Sequence, residues 1–218
     1  SEFQLTDVQR RMKEKVEWIG RGLKAALGAI RYPVHHLDFE TLGPAIPAYP
    51  NTRPYQAIPF QWSKHIETRD GAVRPEEYLC SGKEDPREEF TVALLKSLGK
   101  TGSICTYTNY ERTILTGLAV ALPVLRRDLN RVIDRLWDLH PIIKAHYHHP
   151  GFEGSYSIKA VLPAVVPHLA YDDLEIQEGT MAGLQYYRMI FEVTDEGEKT
   201  RTRNALLKYC ARDTLAMV

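Results

Sequence analysis

The stretch VHHLDFET, residues 34–41, places two carboxylates, Asp38 and Glu40, inside an otherwise apolar run. Burying ionised carboxylates is costly unless they are paired with an opposite charge or bind a metal ion. In a β-strand, residues two apart project from the same face, so the two acids point together while Leu37 and Phe39 point into a core. The spacing therefore predicts a concentrated oxygen site, which hard cations such as Mg²⁺ and Mn²⁺ prefer.

Further acids occur at two later positions of the chain. Glu111 follows the short apolar run SICTY at the start of a predicted helix, where a carboxylate also interacts favourably with the helix dipole. Tyr209 and Asp213 lie four residues apart on one face of the last predicted helix. Two purely structural alternatives stay open. One is that Asp38 and Glu40 lie on a solvated strand edge, and the other is that Tyr209 is a packed core residue whose hydroxyl has a hydrogen-bond partner.

Strand patterning surrounds the acidic stretch. Residues 57–67 alternate in polarity, and the Asp70-Gly71 turn joins them to a further strand over residues 73–79. Residues 42–56 contain four prolines, which predicts an irregular loop. Three consecutive strands with hairpin-type links indicate antiparallel pairing.

Helices dominate the rest of the chain. Residues 85–99 form a predicted helix with Asp85 as its cap and Gly99 as its stop, and residues 103–107 form a short buried strand. The other predicted helices cover residues 110–118, 122–137, 157–167, 179–193 and 198–218. This order predicts an α/β fold whose mixed central sheet has three antiparallel-type strands, then a parallel strand, flanked by helices.

The amino-terminal part has a different pattern. From Leu5 to about Leu27, apolar residues recur at three- and four-residue steps, which predicts an amphipathic helix. We therefore divide the chain into an N-terminal helix or linker, residues 1–30, and one domain, residues 31–218. The chain starts without Met and stops inside a helical pattern, so we expect a fragment of a longer protein that carries additional domains.

Composition excludes several classes of partner. Lys plus Arg and Asp plus Glu both number 28, so no overall positive field indicates nucleic acid or an anionic membrane, and a nucleic-acid partner requires a local basic patch. Three isolated cysteines favour a reducing setting. No apolar run approaches the roughly 20 residues of a membrane span. We expect a cytoplasmic protein with no membrane partner.

The motifs LDFET, YTNYE and YCARD, in this order, resemble the DEDD superfamily of 3′ to 5′ exonucleases on the RNase H-like fold, in its Tyr-containing branch. More narrowly, LDFETLGPAIPAYPNTRPYQAIPFQWSKHI, GSYSIKAVLPAVVPHLAY and YCARDTLAMV look like an uncharacterised bacterial domain family within that superfamily, usually found at the carboxyl end of longer proteins. The resemblance covers about residues 33–218.

By this resemblance, Asp38 and Glu40 match the first motif, Glu111 the second, and Tyr209 with Asp213 the third. All five are implied to be catalytic, and the four acids to bind two Mg²⁺ or Mn²⁺ ions. The implied activity is a metal-dependent 3′–5′ exonuclease that hydrolyses DNA or RNA, acting on a single-stranded 3′ end. The second motif departs from the superfamily's usual Asp, since Glu111 is one methylene longer.

Substrate contacts are expected from the proline-rich loop and from a lysine. Arg53, Tyr55 and Gln56 follow the acidic strand, where a basic and aromatic loop can grip a single strand of nucleic acid or serve as a rigid spacer. Lys159 contributes local positive charge. Asp138 matches an Asp that opens a helix in the superfamily, and we interpret it as structural.

Two alternatives to an active nuclease remain. A nucleic-acid-binding module would keep the fold and hydrolyse poorly because of Glu111. An accessory interaction domain of a larger nuclease would dock through the first helix and the proline-rich loop. The histidines of HYHHP, residues 146–150, are too crowded for a fixed zinc ligand set and favour a surface loop.

Overall fold

A computed structural model describes residues 15–218. Its centre is a five-stranded mixed sheet flanked by helices, with strand order β4-β3-β2-β5-β6. These strands are β2 (Val34–Leu42), β3 (Ile58–Glu67), β4 (Val73–Leu79), β5 (Ile104–Thr106) and β6 (Leu136–Asp138). A separate two-stranded ribbon pairs β1 (Trp18–Ile19) with β7 (Tyr147–His148).

Eight α-helices occur in the described part of the chain. They are α1 (Leu23–Leu27), α2 (Pro86–Leu98), α3 (Tyr110–Ala121), α4 (Arg126–Ile133), α5 (His140–His146), α6 (Ile158–Val165), α7 (Gly179–Phe191) and α8 (Glu196–Leu215). Short 3₁₀ helices cover Pro123–Leu125, Pro150–Phe152 and Pro167–Leu169. Within residues 15–218, no helix combines the length and the apolar character that crossing a membrane requires.

Strand β2 lies at the middle of the sheet. It pairs antiparallel with β3 and parallel with β5, while β4 extends the antiparallel side and β6 the parallel side. The α/β class and the mixed sheet agree with the sequence prediction, and the architecture is compatible with an RNase H-like fold.

The predicted helix over residues 122–137 is wrong at its end, because Leu136 and Trp137 lie in strand β6. In the structure that helix is a 3₁₀ turn followed by α4, which ends at Ile133. Three residues form a strand here only because they pair with β5, a contact that the local sequence pattern does not contain.

The amino-terminal prediction also needs correction. Helix α1 begins at Leu23 and is five residues long, whereas residues 15–22 contain β1 and a turn. Gly20 donates its backbone N–H to the carbonyl of His146 at 2.7 Å, which ties this segment to the end of α5 instead of continuing a helix. The remainder of the predicted helix, before residue 15, lies outside the described residues.

Alternate side chains of β3 face two different helical layers, as its period of two requires. Lys64 is fully buried on one side, where its Nζ lies 3.1 Å from Glu76 Oε2 and donates to the backbone carbonyl of Ser97 at the end of α2. The neighbouring residues Gln61 and Ser63 point to the opposite side and contact α8. The sheet is therefore covered on both faces.

Three polar side chains of β3 fix α8 on the sheet. Gln61 Nε2 donates to the carbonyl of Leu206 at 2.9 Å. Thr214 Oγ1 lies 3.1 Å from Ser63 Oγ and 2.8 Å from His65 Nδ1. All of these groups are buried, so breaking the contacts would leave unsatisfied polar atoms. The register of α8 relative to the central strands is thereby determined.

Candidate active site

The acids of β2 project from the face that α8 covers. Leu37 and Phe39 are buried in the core, as the alternation predicts, and Asp38 and Glu40 occupy the other face. Glu40 is 5% exposed and Asp38 is partly buried. A β-bulge follows directly, between Glu40 and Thr41, and changes the course of the strand at the edge of the acidic site.

Two further carboxylates reach Asp38 from different elements. Glu111 lies in the first turn of α3, which begins four residues after the end of β5, and it is 2% exposed. Its carboxyl group adjoins that of Asp38. Asp213 of α8 is 8% exposed and interacts electrostatically with Asp38 and Glu40. The structure thus brings together the four acids that the sequence singled out.

Burial raises the pKa values of all four acids. Burial is the largest cause in each case, because it penalises the charged form. The pKa is raised to about 8 for Glu40 and for Glu111, and to about 6 for Asp213. Repulsion from the other three acids adds to burial in raising the pKa of Asp38 well above its usual value.

Tyr209 lies beside the acids on α8, where its ring is buried. Lys159, at the start of α6, donates from Nζ to the Tyr209 hydroxyl oxygen at 3.1 Å. Burial and the nearby charges of Glu40 and Asp213 raise the pKa of Tyr209, so the phenol stays protonated. Lys159 therefore contacts Tyr209 and supplies positive charge next to Glu40 and Asp213.

Two residues that the sequence analysis missed also contact this group. The Tyr171 hydroxyl donates a hydrogen bond to Asp213 Oδ1. The Cys210 thiol lies 3.7 Å from Asp38 Oδ2, and ligand atoms of Asp38, Glu40 and Cys210 all fall within 4.8 Å of one another. The adjacency of Cys210 to Tyr209 in YCARD was a usable signal. Tyr171 gave none, because it lies in an irregular segment without periodicity.

Three of the acids, Asp38, Glu40 and Asp213, line one open cleft of about 820 Å³. Its polar lining also includes Tyr209, Glu178, Thr41 and Thr180. The other lining side chains are largely apolar or aromatic and include Leu42, Pro44, Tyr110, Met181, Leu184 and Tyr187. The cleft thus combines a carboxylate cluster with walls that suit flat, apolar faces such as nucleobases.

The proline-rich loop touches this cleft only at its beginning. Gly43 and Pro44 line the cleft, whereas Arg53, Tyr55 and Gln56 are not among its lining residues. Tyr55 is 76% exposed, and the Gln56 side chain accepts a hydrogen bond from the Arg53 backbone N–H at 3.0 Å. The Tyr55 backbone N–H donates to the carbonyl of the cleft-lining Pro44 at 3.0 Å, so this part of the loop packs beside the cleft, and the three substrate contacts stay predictions.

Asp138 and the histidine run have local roles in the structure. Asp138 Oδ1 accepts from the backbone N–H groups of Thr108 and His140, at 2.9 and 3.0 Å. It thereby ties the segment after β5 to the start of α5, a structural contact. His149 Nδ1 accepts from the Gly151 N–H, and the described residues assemble no metal-ligand cluster around this run.

Asp38 and Glu40, with Glu111 and Asp213 beside them, offer oxygen atoms of the kind that a hard divalent ion takes as ligands. Carboxylate oxygens are the ligands that Mg²⁺ and Mn²⁺ prefer. Within residues 15–218, Glu111 Oε2 is buried and has no hydrogen-bond partner, and the Glu111 carboxyl group adjoins that of Asp38. Such a buried, partnerless oxygen is costly in a protein without a ligand and is satisfied when an ion or its bound water is present.

Comparison with known proteins gives a family and a structural neighbour. No curated protein matches the chain. Among solved structures, it is similar to the family B DNA polymerase from the hyperthermophilic archaeon Pyrobaculum calidifontis, with 15% sequence identity and a TM-score of 0.47. The alignment covers 86% of this chain and 24% of the polymerase chain, so the chain spans about a quarter of that protein.

Residues 35–157 match the family model described as Domain of unknown function (DUF2779). This range contains Asp38, Glu40 and Glu111 and ends before α6. Because it covers more than half of the 218 residues, the chain belongs to the DUF2779 family.

Proposed function

We propose that this chain is a divalent-metal-dependent nuclease of the Tyr-containing DEDD type on an RNase H-like fold. It removes nucleotides from the 3′ end of single-stranded DNA or RNA. The observation that carries the proposal is the convergence of four carboxylates from β2, α3 and α8, three of which line one open cleft, while Glu111 Oε2 is buried and lacks a hydrogen-bond partner among the described residues.

Electrostatics favours a metal centre over a structural cluster. When ionised, the four acids carry four negative charges, and the positive charges that act on them include Lys159 and Arg212. A cluster built for stability alone would be matched by cations or replaced by apolar side chains. Two divalent ions would balance the excess charge and satisfy the buried oxygens.

The acids divide into two ligand sets. Asp38, Glu40 and Asp213 would hold one Mg²⁺ or Mn²⁺ ion, and Asp38 with Glu111 the other. When bound, these ions supply an acidified water, a neutralised phosphate and a stabilised leaving oxygen, as phosphodiester hydrolysis requires.

Tyr209 orients rather than deprotonates in this proposal. Its hydroxyl oxygen accepts the hydrogen bond from Lys159, so the phenolic proton is directed elsewhere and is available to a water or phosphate oxygen in the cleft. The raised pKa of Tyr209 keeps that proton in place at neutral pH. Met181 and Leu184 of α7 provide apolar contacts for the bases of the strand.

Degradation of end-labelled single-stranded DNA and RNA tests the proposal. We expect Mn²⁺- or Mg²⁺-dependent laddering from the 3′ end, no reaction with chelator, and none from Asp38→Asn, which keeps the shape of the side chain. Asp128→Asn is the matched control, because Asp128 is an exposed acid of α4 paired with Arg131. It should cleave like the wild type.

Cleavage by Asp38→Asn at the wild-type rate would refute this ligand assignment. Metal binding without cleavage would instead favour a nucleic-acid-binding module, and absence of both would favour an accessory interaction domain.

A further inference from the structure

We propose that Tyr171 is a positioning residue of the metal centre, whose hydroxyl holds one oxygen of Asp213 so that the other oxygen is presented to the ion. The inference rests on the proposed metal-dependent function and adds a residue from outside the sequence motifs. Tyr171 acts through Asp213 and is not itself a ligand.

The contact between the two side chains has a defined direction. An ionised carboxylate only accepts hydrogen bonds, so the Tyr171 hydroxyl is the donor to Asp213 Oδ1. Tyr171 is 7% exposed, which limits competition from water. Burial and the adjacent Asp213 raise the pKa of Tyr171, so the donor proton is retained at neutral pH.

A clasp formed by residues 166–178 holds the Tyr171 ring over α8. Arg212 donates to the carbonyl of Ala170 and, at 2.8 Å, to Asp173 Oδ2, so the clasp is attached to α8 on both sides of Tyr171. Lys159 donates to the carbonyl of Gln177 and places its Nζ 5.7 Å from the centre of the Tyr171 ring. Neither the backbone nor the ring is free to turn away.

Lys159 of α6 and Tyr171 of the clasp contact the two residues of α8 that face the cleft. Lys159 binds the Tyr209 hydroxyl, and Tyr171 binds the Asp213 carboxylate. The Lys159 Nζ also lies 5.2 Å from the centre of the Tyr209 ring, so the three side chains pack as one unit. Each of the two α8 residues therefore has its own donor from outside the helix.

Holding a ligand carboxylate from its far side affects metal affinity. A metal-binding carboxylate that is free to rotate must be ordered when the ion binds, and partners that orient ligands typically contribute about 10–100-fold in affinity. Without the Tyr171 hydroxyl, Asp213 would keep a buried acceptor oxygen with no donor. Loss of the Tyr171 hydroxyl therefore weakens ion binding and leaves the contact with nucleic acid unchanged.

The test is Tyr171→Phe, which keeps the ring and removes only the hydroxyl. We expect Mn²⁺ affinity, measured by calorimetry and by the electron paramagnetic resonance of free Mn²⁺, to fall about 10-fold. Cleavage should be lower at limiting Mn²⁺ and restored by excess Mn²⁺, with an unchanged KM for the oligonucleotide. A purely structural defect would not be rescued by the ion.

Tyr107→Phe is the matched control. The Tyr107 hydroxyl donates to the backbone carbonyl of Tyr156 at 2.7 Å, and Tyr107 does not line the cleft. It therefore loses a comparable hydrogen bond and should keep the wild-type Mn²⁺ affinity. Thermal unfolding of both variants confirms that each is folded at the temperature of the titration.

Wild-type Mn²⁺ affinity in Tyr171→Phe overturns the inference, and so does an equal loss in Tyr107→Phe. A wild-type chain that binds Mn²⁺ and cleaves no oligonucleotide overturns the proposed nuclease function instead. In that case the affinity difference between the variants still decides the role of Tyr171, because binding is measured without substrate.

Discussion

Glu111 presents its carboxylate to Asp38 from a fixed position, the first turn of a helix that follows a three-residue strand. Since the side chain is 2% exposed, the surrounding packing sets how far the carboxyl group reaches. The extra methylene relative to Asp is therefore part of the site geometry. We infer that the backbone is placed for a Glu at this position.

This inference gives a prediction for two substitutions. Glu111→Gln should lower Mn²⁺ affinity and cleavage by at least about 100-fold, because it removes a charged ligand where even an orienting partner contributes up to that amount. Glu111→Asp should lower cleavage by a smaller factor, about 10-fold, because the shorter carboxylate is withdrawn from Asp38. Calorimetric titration measures the Mn²⁺ affinity, and single-turnover cleavage with saturating Mn²⁺ measures the cleavage rate of both variants.

Glu88→Gln provides the control, since Glu88 is an exposed acid in the first turn of α2 and makes the same helix-dipole interaction. It should leave cleavage unchanged. Faster cleavage by Glu111→Asp than by the wild type would contradict the prediction and indicate that Glu111 weakens an otherwise competent site.

Residue spacing in the sequence predicts which of the acids share a face, but it does not predict which side chains contact them. The period of two predicted that Asp38 and Glu40 share a face, and the four-residue spacing placed Tyr209 beside Asp213. Tyr171 contacts Asp213 from the irregular part of the clasp that follows its 3₁₀ turn, across 42 residues of sequence. No pattern in the surrounding residues encodes such a contact, so only the folded chain reveals it.

Among the elements, helix α7 approaches β2 unusually closely. A Cβ on Gly183 would lie 2.8 Å from the carbonyl oxygen of Thr41, closer than side chains normally come to backbone. Gly183 thus permits the contact that places Met181 and Leu184 along the cleft. The width of the cleft depends on this glycine.

We therefore expect Gly183→Ala to destabilise the chain and to raise the KM for single strands, because α7 must move away from β2. Overpacking of this kind typically costs about 1–3 kcal/mol. Urea unfolding followed by circular dichroism gives the change in the free energy of unfolding.

Gly117→Ala isolates the packing effect. Gly117 is exposed on α3, and a Cβ there would meet nothing within 4 Å. Both substitutions gain the helix propensity of Ala, up to about 1 kcal/mol, so the difference between the variants reports packing against β2. Equal stabilities for the two variants would show that α7 adjusts without strain.

Helices and strands are predictable from the sequence where residues with capping or terminating preferences stand at their ends. Asp85 caps α2 through a hydrogen bond from the Arg87 N–H, and Gly99 ends it with a positive φ, as their residue types predicted. Strand β6 has no such marks and exists because β5 pairs with it. The segment before α1 likewise follows a tertiary contact with α5, which overrides its apparent helical periodicity.

At the scale of the whole molecule, neutral overall composition conceals an uneven distribution of charge. Lys plus Arg equals Asp plus Glu, yet four acids cluster at one site beside the cleft, where burial raises their pKa values. Three buried histidines, His35, His36 and His65, have lowered pKa values for the same reason. Stability should therefore depend on pH in two opposite ways.

The sign differs between the two groups. A carboxyl whose pKa is raised by folding contributes stability at low pH and loses it as the pH rises through the folded value. A histidine whose pKa is lowered by folding contributes stability at high pH and loses it as the pH falls below its usual value of about 6.5. Between pH 7.5 and 8.5 the histidines are almost wholly neutral in both states. The change therefore comes from the acids and, with the same sign, from three buried cysteines whose pKa values burial raises, Cys80, Cys105 and Cys210.

In this pH window and with chelator present, we expect the free energy of unfolding to fall as the pH rises. Each of Glu40 and Glu111 contributes up to about 1.4 kcal/mol per pH unit below its folded pKa of about 8. Mn²⁺ binds the ionised acids, so saturating Mn²⁺ should reverse the slope. Urea unfolding at several pH values, with EDTA or with Mn²⁺, measures both slopes.

Glu111→Gln should flatten the slope in EDTA, because one titrating group is removed, and should weaken the effect of Mn²⁺. Glu88→Gln, whose exposed carboxyl is outside the site, should leave both slopes at wild-type values. A slope in EDTA that is flat or rises with pH would mean that the four acids are ionised and stabilised without a metal. That result would contradict the electrostatic basis of the metal centre, since a cluster already neutralised by the protein has no need of a divalent ion.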